Sequence, residues 1–558
     1  MKTRLSFLLC LCLIMVALTA CGTPNQSEPI VNVASEQQAP VDDGITSDES
    51  AANRSAPSIA AMPTGQAFIQ ASPAASMMAQ QAIPPTPGAM QFENYGVNPF
   101  FDTEDDNLST FAMDVDTASY TVARSYLRDT QQLPPADAIR PEEFVNYFDP
   151  EYDTPTGDDA FAIYLDAAPA PFGYDGHHLL RVGIQARYVP AEEREPVFLI
   201  FVIDVSGSMS AENRLGLVKE SLALLVDQLR EDDRVGIVVY SDRSRAVLNP
   251  TPASERDTIM TAINGLMTEG STNAEDGLRL GYAMAQEYME AGENVRIVLC
   301  SDGVANVGNT GPEAILQTIR AGVDEGVTLS AVGFGMGNYN DVLMEQLAND
   351  GNGNYAYVDH LREARRVFVN NLTGTLQVVG YDAKVQVEFN PDVTDRYRLI
   401  GYENRDIADQ DFRNDAVDAG EVGAGHSVTA LYEIALEEAA TRPVSQSANG
   451  SDVIATVYIR YEDAETREVV EISRPITRDD LRASLEDTSA SFRLQAAVAE
   501  FAELLRESTW ADDGTYGAVL TLLQGVQEDL VDSPNQALRR DVDELVNLVE
   551  AAIRFGDR

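Results

Sequence analysis

The sequence predicts an α/β protein: a doubly wound, mostly parallel sheet with helices on both faces, accompanied by a β-rich flanking domain and C-terminal helices. Three observations support this. From about residue 196 to 372, apolar strand-like runs alternate with helical patterns, the mark of a parallel sheet covered by helices. After about 373 the pattern turns to segments such as Lys384-Val-Gln-Val-Glu-Phe389 and Val453-Ile-Ala-Thr-Val-Tyr-Ile-Arg-Tyr461, whose alternation fits antiparallel strands with one wet face. From about 478 onward the apolar period is helical, through Phe492, Ala496, Phe501 and Leu504 and then Leu538, Val542, Leu545 and Val549.

Taken in chain order, Lys2 and Arg4 precede an apolar segment, Leu5 to Leu18, that is too short to span a membrane and fits a secretory signal. Its end, Leu18-Thr-Ala-Cys21, resembles the bacterial lipobox, which implies cleavage after residue 20 and lipidation of Cys21. Several acyl chains together make a stable anchor. Residues 21–92 are mostly Ala, Ser, Pro, Gln and Thr, cannot bury enough apolar surface to fold alone, and read as a tether with an r.m.s. span of about 45–50 Å. Residues 93–195 form an N-terminal region with a helix expected over Val122 to Leu127; its Asp114-Val-Asp116 reads as a helix-capping turn. The strands expected in 196–372 are Val197 to Ile203, Val235 to Tyr240, Ala246 to Leu248, Val295 to Cys300, Val327 to Val332 and Tyr355 to Val358. Leu215, Val218, Leu222, Leu225 and Leu229 give the first helix of this stretch an apolar face, and Pro312 suits the first turn of a later one. Gly333-Phe-Gly-Met-Gly337 lacks the Lys-Ser/Thr of a phosphate-binding loop and reads as a tight strand-to-helix connection. Residues 373–477 form the β-rich domain, and 478–558 the helical C-terminal region.

A formal net charge of −50 argues against nucleic acid as a partner, because phosphate binding is built from Lys and Arg, and lysine occurs only as Lys2, Lys219 and Lys384. Of the four cysteines, Cys10 and Cys12 leave with the signal and Cys21 is acylated. Cys300, at the end of an apolar strand, then remains as a buried thiol, and no internal disulfide can form.

Five oxygen-bearing side chains carry the functional content. Asp204, Ser206 and Ser208 break the apolar run Phe198-Leu-Ile-Phe-Val-Ile-Asp204-Val-Ser206-Gly-Ser208-Met209 at alternate positions; Thr272 lies in Gly270-Ser-Thr-Asn273, and Asp302 ends the strand Val295-Arg-Ile-Val-Leu-Cys-Ser-Asp302. A hard divalent cation, Mg2+ foremost with Mn2+ and Ca2+ as other occupants, takes oxygen ligands, and two carboxylates cancel its charge while three hydroxyls add none. In an open parallel sheet, ligands bind beyond the carboxyl ends of the strands, where Asp204 and Asp302 are expected.

Asp-x-Ser-x-Ser, the later Thr after Gly-Ser, and the later Ser-Asp-Gly resemble the metal-ion-dependent adhesion site of von Willebrand factor type A (VWA) domains. The resemblance implies that Ser206, Ser208 and Thr272 bind the ion directly, that Asp204 and Asp302 act directly or through water, and that an open position takes an acidic group from a partner. Flanking segments extend it: Asp114-Val-Asp-Thr-Ala-Ser-Tyr120, Glu142-Glu-Phe-Val-Asn-Tyr-Phe148, Tyr397-Arg-Leu-Ile-Gly-Tyr-Glu-Asn-Arg405 and Gly423-Ala-Gly-His-Ser-Val-Thr-Ala-Leu-Tyr-Glu433 are similar to YfbK-type bacterial VWA lipoproteins.

The function expected is that of a lipid-anchored cell-envelope binding protein, not an enzyme, that captures a protein partner through an Asp or Glu offered to the metal. A structural scaffold with a stabilising ion and a metal-dependent hydrolase are the alternatives. The hydrolase has little support: His177, His178, His360 and His426 are scattered, and Ser206 has no base evident in the sequence. Contact with the membrane is expected through the lipid alone. Gly22 after Cys21 lacks the Asp that resembles an inner-membrane retention signal, so the outer membrane is expected where the organism has one, and otherwise the extracytoplasmic face of the cytoplasmic membrane.

Overall fold

The computed structural model describes residues 90–556 apart from 158, 212, 291–292, 304–311, 337–338, 418, 438–451 and 513; the expected signal peptide, Cys21 and nearly all of the tether lie outside the described residues. The chain begins with two short strands, β1 (Phe101–Asp102) and β2 (Leu108–Ala112), then α1 (Ala118–Ser125), α2 (Pro141–Tyr147), β3 (Phe161–Pro169) and β4 (His178–Ala186). Pro141 opens α2, where its fixed φ suits the first turn and its missing N–H costs nothing. The helix expected at Val122 starts four residues earlier and passes into a π turn, Tyr126–Thr130.

Next comes the doubly wound domain: β5 (Val197–Asp204), α3 (Leu215–Val226), β6 (Arg234–Tyr240), β7 (Ser244–Pro252), α4 (Arg256–Asn264), α5 (Ala274–Tyr288), β8 (Asn294–Ser301), α6 (Pro312–Asp324), β9 (Val327–Phe334), α7 (Asp341–Asn349), β10 (Tyr355–Val358), α8 (Leu361–Arg365) and α9 (Leu372–Leu376). Its sheet runs β10-β9-β8-β5-β6-β7, parallel throughout except for β7, which returns antiparallel on β6. Every residue of β5 is buried, and the reason is its place at the centre of the sheet with helices on both sides. Side chains alternate between faces: Phe198, Ile200 and Val202 join a core with α5, α6 and α7, while Leu199, Phe201 and Ile203 join one with α3, α4 and α9. Burying each such side chain contributes about 1.5–3 kcal/mol before entropy is counted.

The remaining strands are β11 (Val378–Phe389), β12 (Thr394–Ile400), β13 (Gly420–Gly423), β14 (Ser427–Leu436), β15 (Val453–Asp463) and β16 (Val469–Thr477). They do not form a sheet system of their own. β1, β3 and β4 share one sheet with β12 and β14 in the order β1-β12-β14-β4-β3, and β2 pairs antiparallel with β11 in the second, β13-β11-β15-β16. One apolar core, including Phe161, Val182, Val385, Tyr432 and Val457, lies between the two sheets. The stretches 93–195 and 373–477, consecutive to the eye only as separate regions, are therefore halves of one sandwich, and the doubly wound domain is an insertion between them. Three helices, α10 (Ala490–Leu505), α11 (Tyr516–Asp529) and α12 (Gln536–Phe555), follow, and their core takes in Tyr120 of α1 and Phe144 of α2. Among the described residues no helix is long and apolar enough to cross a membrane.

Asp114 and Asp116 do not cap α1: its N-terminal residue Thr117 makes no side-chain cap. Asp114 Oδ1 accepts from Asp116 N at 2.9 Å, Asp116 Oδ1 accepts from Tyr355 N at 2.8 Å, and both carboxylates hold Arg405. The turn joins β10 of the inserted domain to the sandwich, a long-range duty that a local capping pattern hides.

Candidate metal centre at the carboxyl end of the sheet

β5 and β8 are hydrogen-bonded neighbours with Ile203 opposite Cys300, so Asp204 and Asp302 leave the sheet side by side. Successive strands are added on one side of β5 up to β7 and on the other from β8, so the order reverses between β5 and β8, and the crevice opens there.

Asp204 is wholly buried. Its Oδ1 accepts from Ser206 N at 2.8 Å and its Oδ2 from Ser301 Oγ at 3.2 Å, which fixes the carboxylate plane. The Ser206 and Ser208 hydroxyl oxygens lie 3.0 Å apart; Ser206 is buried and Ser208 faces solvent, so the pair leads from the floor of the crevice to its mouth. Two backbone bonds lash the next loop to this one, Gly207 N to Gly270 O at 3.1 Å and Glu269 N to Val205 O at 2.6 Å. Gly270 has φ +64°, a left-handed conformation suited to glycine. Thr272 follows it, half-buried, with no hydrogen bond from its hydroxyl among the described residues; Asn273 caps α5 by accepting from Asp276 N. Asp302 is buried, and its Oδ2 accepts from Arg214 Nη1 at 2.5 Å.

Asp204, Ser206, Ser208 and Asp302 thus meet in one crevice, and the Thr272 loop is tied to its wall. Burial pushes the Asp204 carboxyl up to about 6, with the Asp302 charge adding to the effect and the Ser206 hydrogen bonds opposing it. A carboxylate so placed gains from a cation nearby. Among the described residues no group of three or more His, Cys, Asp and Glu is spaced for a metal. The groups gathered here are of another kind, the Asp204 and Asp302 carboxylates and the Ser206 and Ser208 hydroxyls, with Thr272 on the tied loop, all hard oxygens, which fits Mg2+ and does not suit a metal that prefers nitrogen or sulfur. Cys300, one strand residue before Ser301, is buried and its thiol is pushed up to about 12 by that burial, so it supplies neither ligand nor nucleophile.

Two residues of the site escaped sequence reasoning. Ser301 was legible only as part of Ser-Asp-Gly. Arg214, in the turn before α3, gave no signal beyond being a basic residue in an acidic chain. The histidines are held elsewhere, His177 by Glu433 at 2.7 Å and His360 by Asp359 at 2.5 Å.

The von Willebrand factor type A domain family matches residues 199–371, the inserted domain; a family described as von Willebrand factor matches 86–181, and one described as Uncharacterized protein YfbK, C-terminal, matches 374–553. The Uncharacterized protein YfbK of Escherichia coli (strain K12) is 36% identical over 446 residues, covering 77% of this chain and 76% of that protein. The chain belongs to the YfbK family. The chain is also 30% identical over 174 residues, 29% of its length, to inter-alpha-trypsin inhibitor heavy chain H3 of Homo sapiens, of which the match spans 19%. A solved structure, von Willebrand factor type A from Catenulispora acidiphila, aligns over 70% of this chain and 91% of its own at 15% identity, with a TM-score of 0.39. VWA domains are generally interaction modules, and they often bind a divalent metal.

Proposed function

We propose that this YfbK-family chain is a lipid-anchored cell-envelope protein whose VWA domain captures a protein partner through a divalent ion, Mg2+ foremost. The observation that carries the reading is the crevice itself: a buried Asp204 behind a Ser206–Ser208 hydroxyl pair that reaches solvent, with Asp302 beside it. Ser206, Ser208 and Thr272 would hold the ion directly, and Asp204 and Asp302 directly or through water. Bound there, the ion would supply a Lewis-acidic position for an Asp or Glu of the partner. Asp204 balances charge from beneath, kept in place by Ser206 N and Ser301 Oγ. Ser208 faces solvent at the mouth of the crevice, and the backbone bonds between the Val205–Gly207 and Glu269–Gly270 segments keep the two loops in register. The Cys21 lipid and the segment after it would hold the folded part at the envelope surface, in the outer membrane where one exists.

Crosslinking pull-down from envelopes tests capture. With Mg2+ the full chain is expected to retain a partner that EDTA releases, and Asp204→Ala is expected to lose at least tenfold in retention while melting within a few degrees of the unsubstituted chain in EDTA. Undiminished capture by Asp204→Ala in EDTA rejects the mechanism. An ion that raises the melting temperature yet leaves capture untouched would make it a structural ion instead. Labelling with palmitate tests the anchor: Cys21→Ser is expected to lose the label and leave the membrane fraction, and unchanged labelling would reject lipidation at Cys21.

A further inference from the structure

Arg214 is seated in the candidate metal centre with more care than a surface arginine receives. Nη1 donates to Asp302 Oδ2 at 2.5 Å and to Ser208 O at 2.9 Å, and Nη2 donates to Met336 O. Three loops, those after β5, β8 and β9, therefore meet on one guanidinium. Room for its stem comes from Gly335, at φ +75°, where a Cβ would lie 2.5 Å from Arg214 Cγ and 2.7 Å from Nε. The Arg214 side chain is only 15% exposed, so its charge is poorly screened by water. Among the described residues its buried Nε has no acceptor.

The charges then decide what the site prefers. Asp204 and Asp302 bring two negative charges, which a divalent ion cancels; Arg214 adds one fixed positive charge beside Asp302, while the Asp242 carboxylate lies against Gly270 on the neighbouring loop. We propose that Arg214 tunes this centre toward anionic ligands: its fixed charge on Asp302 makes the ion-loaded crevice more positive by one charge, weakening uptake of the ion and strengthening its attraction for a carboxylate. The inference rests on the metal reading above. It departs from a loop-clip role in one respect: charge acts with opposite sign on cation and anion, whereas loss of loop order weakens both.

The test uses the full chain and its Arg214→Gln and Arg214→Lys variants. Free Mn2+ is measured by electron paramagnetic resonance, and displacement of Mn2+-bound water by acetate is followed through water-proton relaxation. Arg214→Gln is expected to bind Mn2+ roughly tenfold more tightly and to need roughly tenfold more acetate, while Arg214→Lys stays within about threefold of the unsubstituted chain on both axes. Weakening of both affinities in Arg214→Gln, no change in either, or Arg214→Lys behaving like Arg214→Gln overturns the inference and leaves the metal reading standing. Absence of Mn2+ binding by the unsubstituted chain overturns both.

Discussion

Replacing Arg124 with methionine is expected to lower the stability of the folded chain by about 3–5 kcal/mol at pH 7, the cost of leaving buried charges without their partner. Arg124, on α1, is wholly buried. It donates to Asp359 at 2.6 and 2.9 Å, Glu363 at 2.7 Å, the Tyr147 hydroxyl at 2.7 Å and Glu544 at 3.0 Å. These partners sit after β10, on α8, on α2 and on α12, so one guanidinium joins the N-terminal segment, the VWA domain and the last helix. Burial disfavours ionised Asp359, yet Arg124 and the neighbouring His360 hold its carboxyl well below the usual carboxylate range. A depressed folded pKa contributes stability above the unfolded value near 4 that is lost as the pH falls toward the folded one. Urea unfolding should therefore show the Arg124→Met deficit in full at pH 7 and shrinking progressively as the pH falls below about 4. A deficit below 1 kcal/mol at pH 7 would show that the network contributes little.

The second large effect runs the other way with pH. Glu142 is buried, accepts from Tyr402 N at 3.1 Å through Oε2, and has no partner for Oε1 among the described residues. Burial, with Glu403, Glu143 and Asp114 nearby, pushes its carboxyl up to about 8. Arg140 and Arg405 are already engaged, Arg140 by Glu143 and Asp341, and Arg405 by Asp114 and Asp116. A raised folded pKa means that the contribution of Glu142 is complete below its unfolded value near 4.5 and is lost as the pH rises through about 8. Measured as the difference between the unsubstituted chain and Glu142→Gln, stability should fall by on the order of 3–5 kcal/mol across that window, leaving the glutamine variant the more stable at pH 9. A flat difference would show that Glu142 is ionised throughout and finds solvation that the fold does not reveal.

The sequence made the inserted domain legible because parallel strands buried on both faces appear as unbroken apolar runs; Tyr355–Val358 falls where it was expected, and Val197 to Ile203 needs only Asp204 added. The candidate site was legible for a related reason, since a carboxylate and two hydroxyls interrupting such a run have no packing purpose. The sandwich was not legible. Lys384 opposite Ala112 and Glu388 opposite Leu108 are pairings across more than 270 residues, and an alternating strand carries no mark of which distant strand it will join. Arg214 was missed and Asp116 was read as part of a local cap for the same reason, because each owes its role to groups that only tertiary structure brings near.

The insertion also sets the order in which the chain can fold. Residues of the VWA domain are contiguous and can close their own sheet as they are made, but β2 waits for β11 and β4 waits for β14. At about 5–20 residues per second, the interval between synthesis of β2 and completion of β11 is about 15–55 s. Throughout it, Phe111, Phe161, Val182 and Ile184, all core residues in the finished molecule, have only an incomplete half-sandwich to cover them. The nascent chain must therefore be shielded from its neighbours for about 15–55 s, and the first four strands are where conditions that slow translation should provoke aggregation.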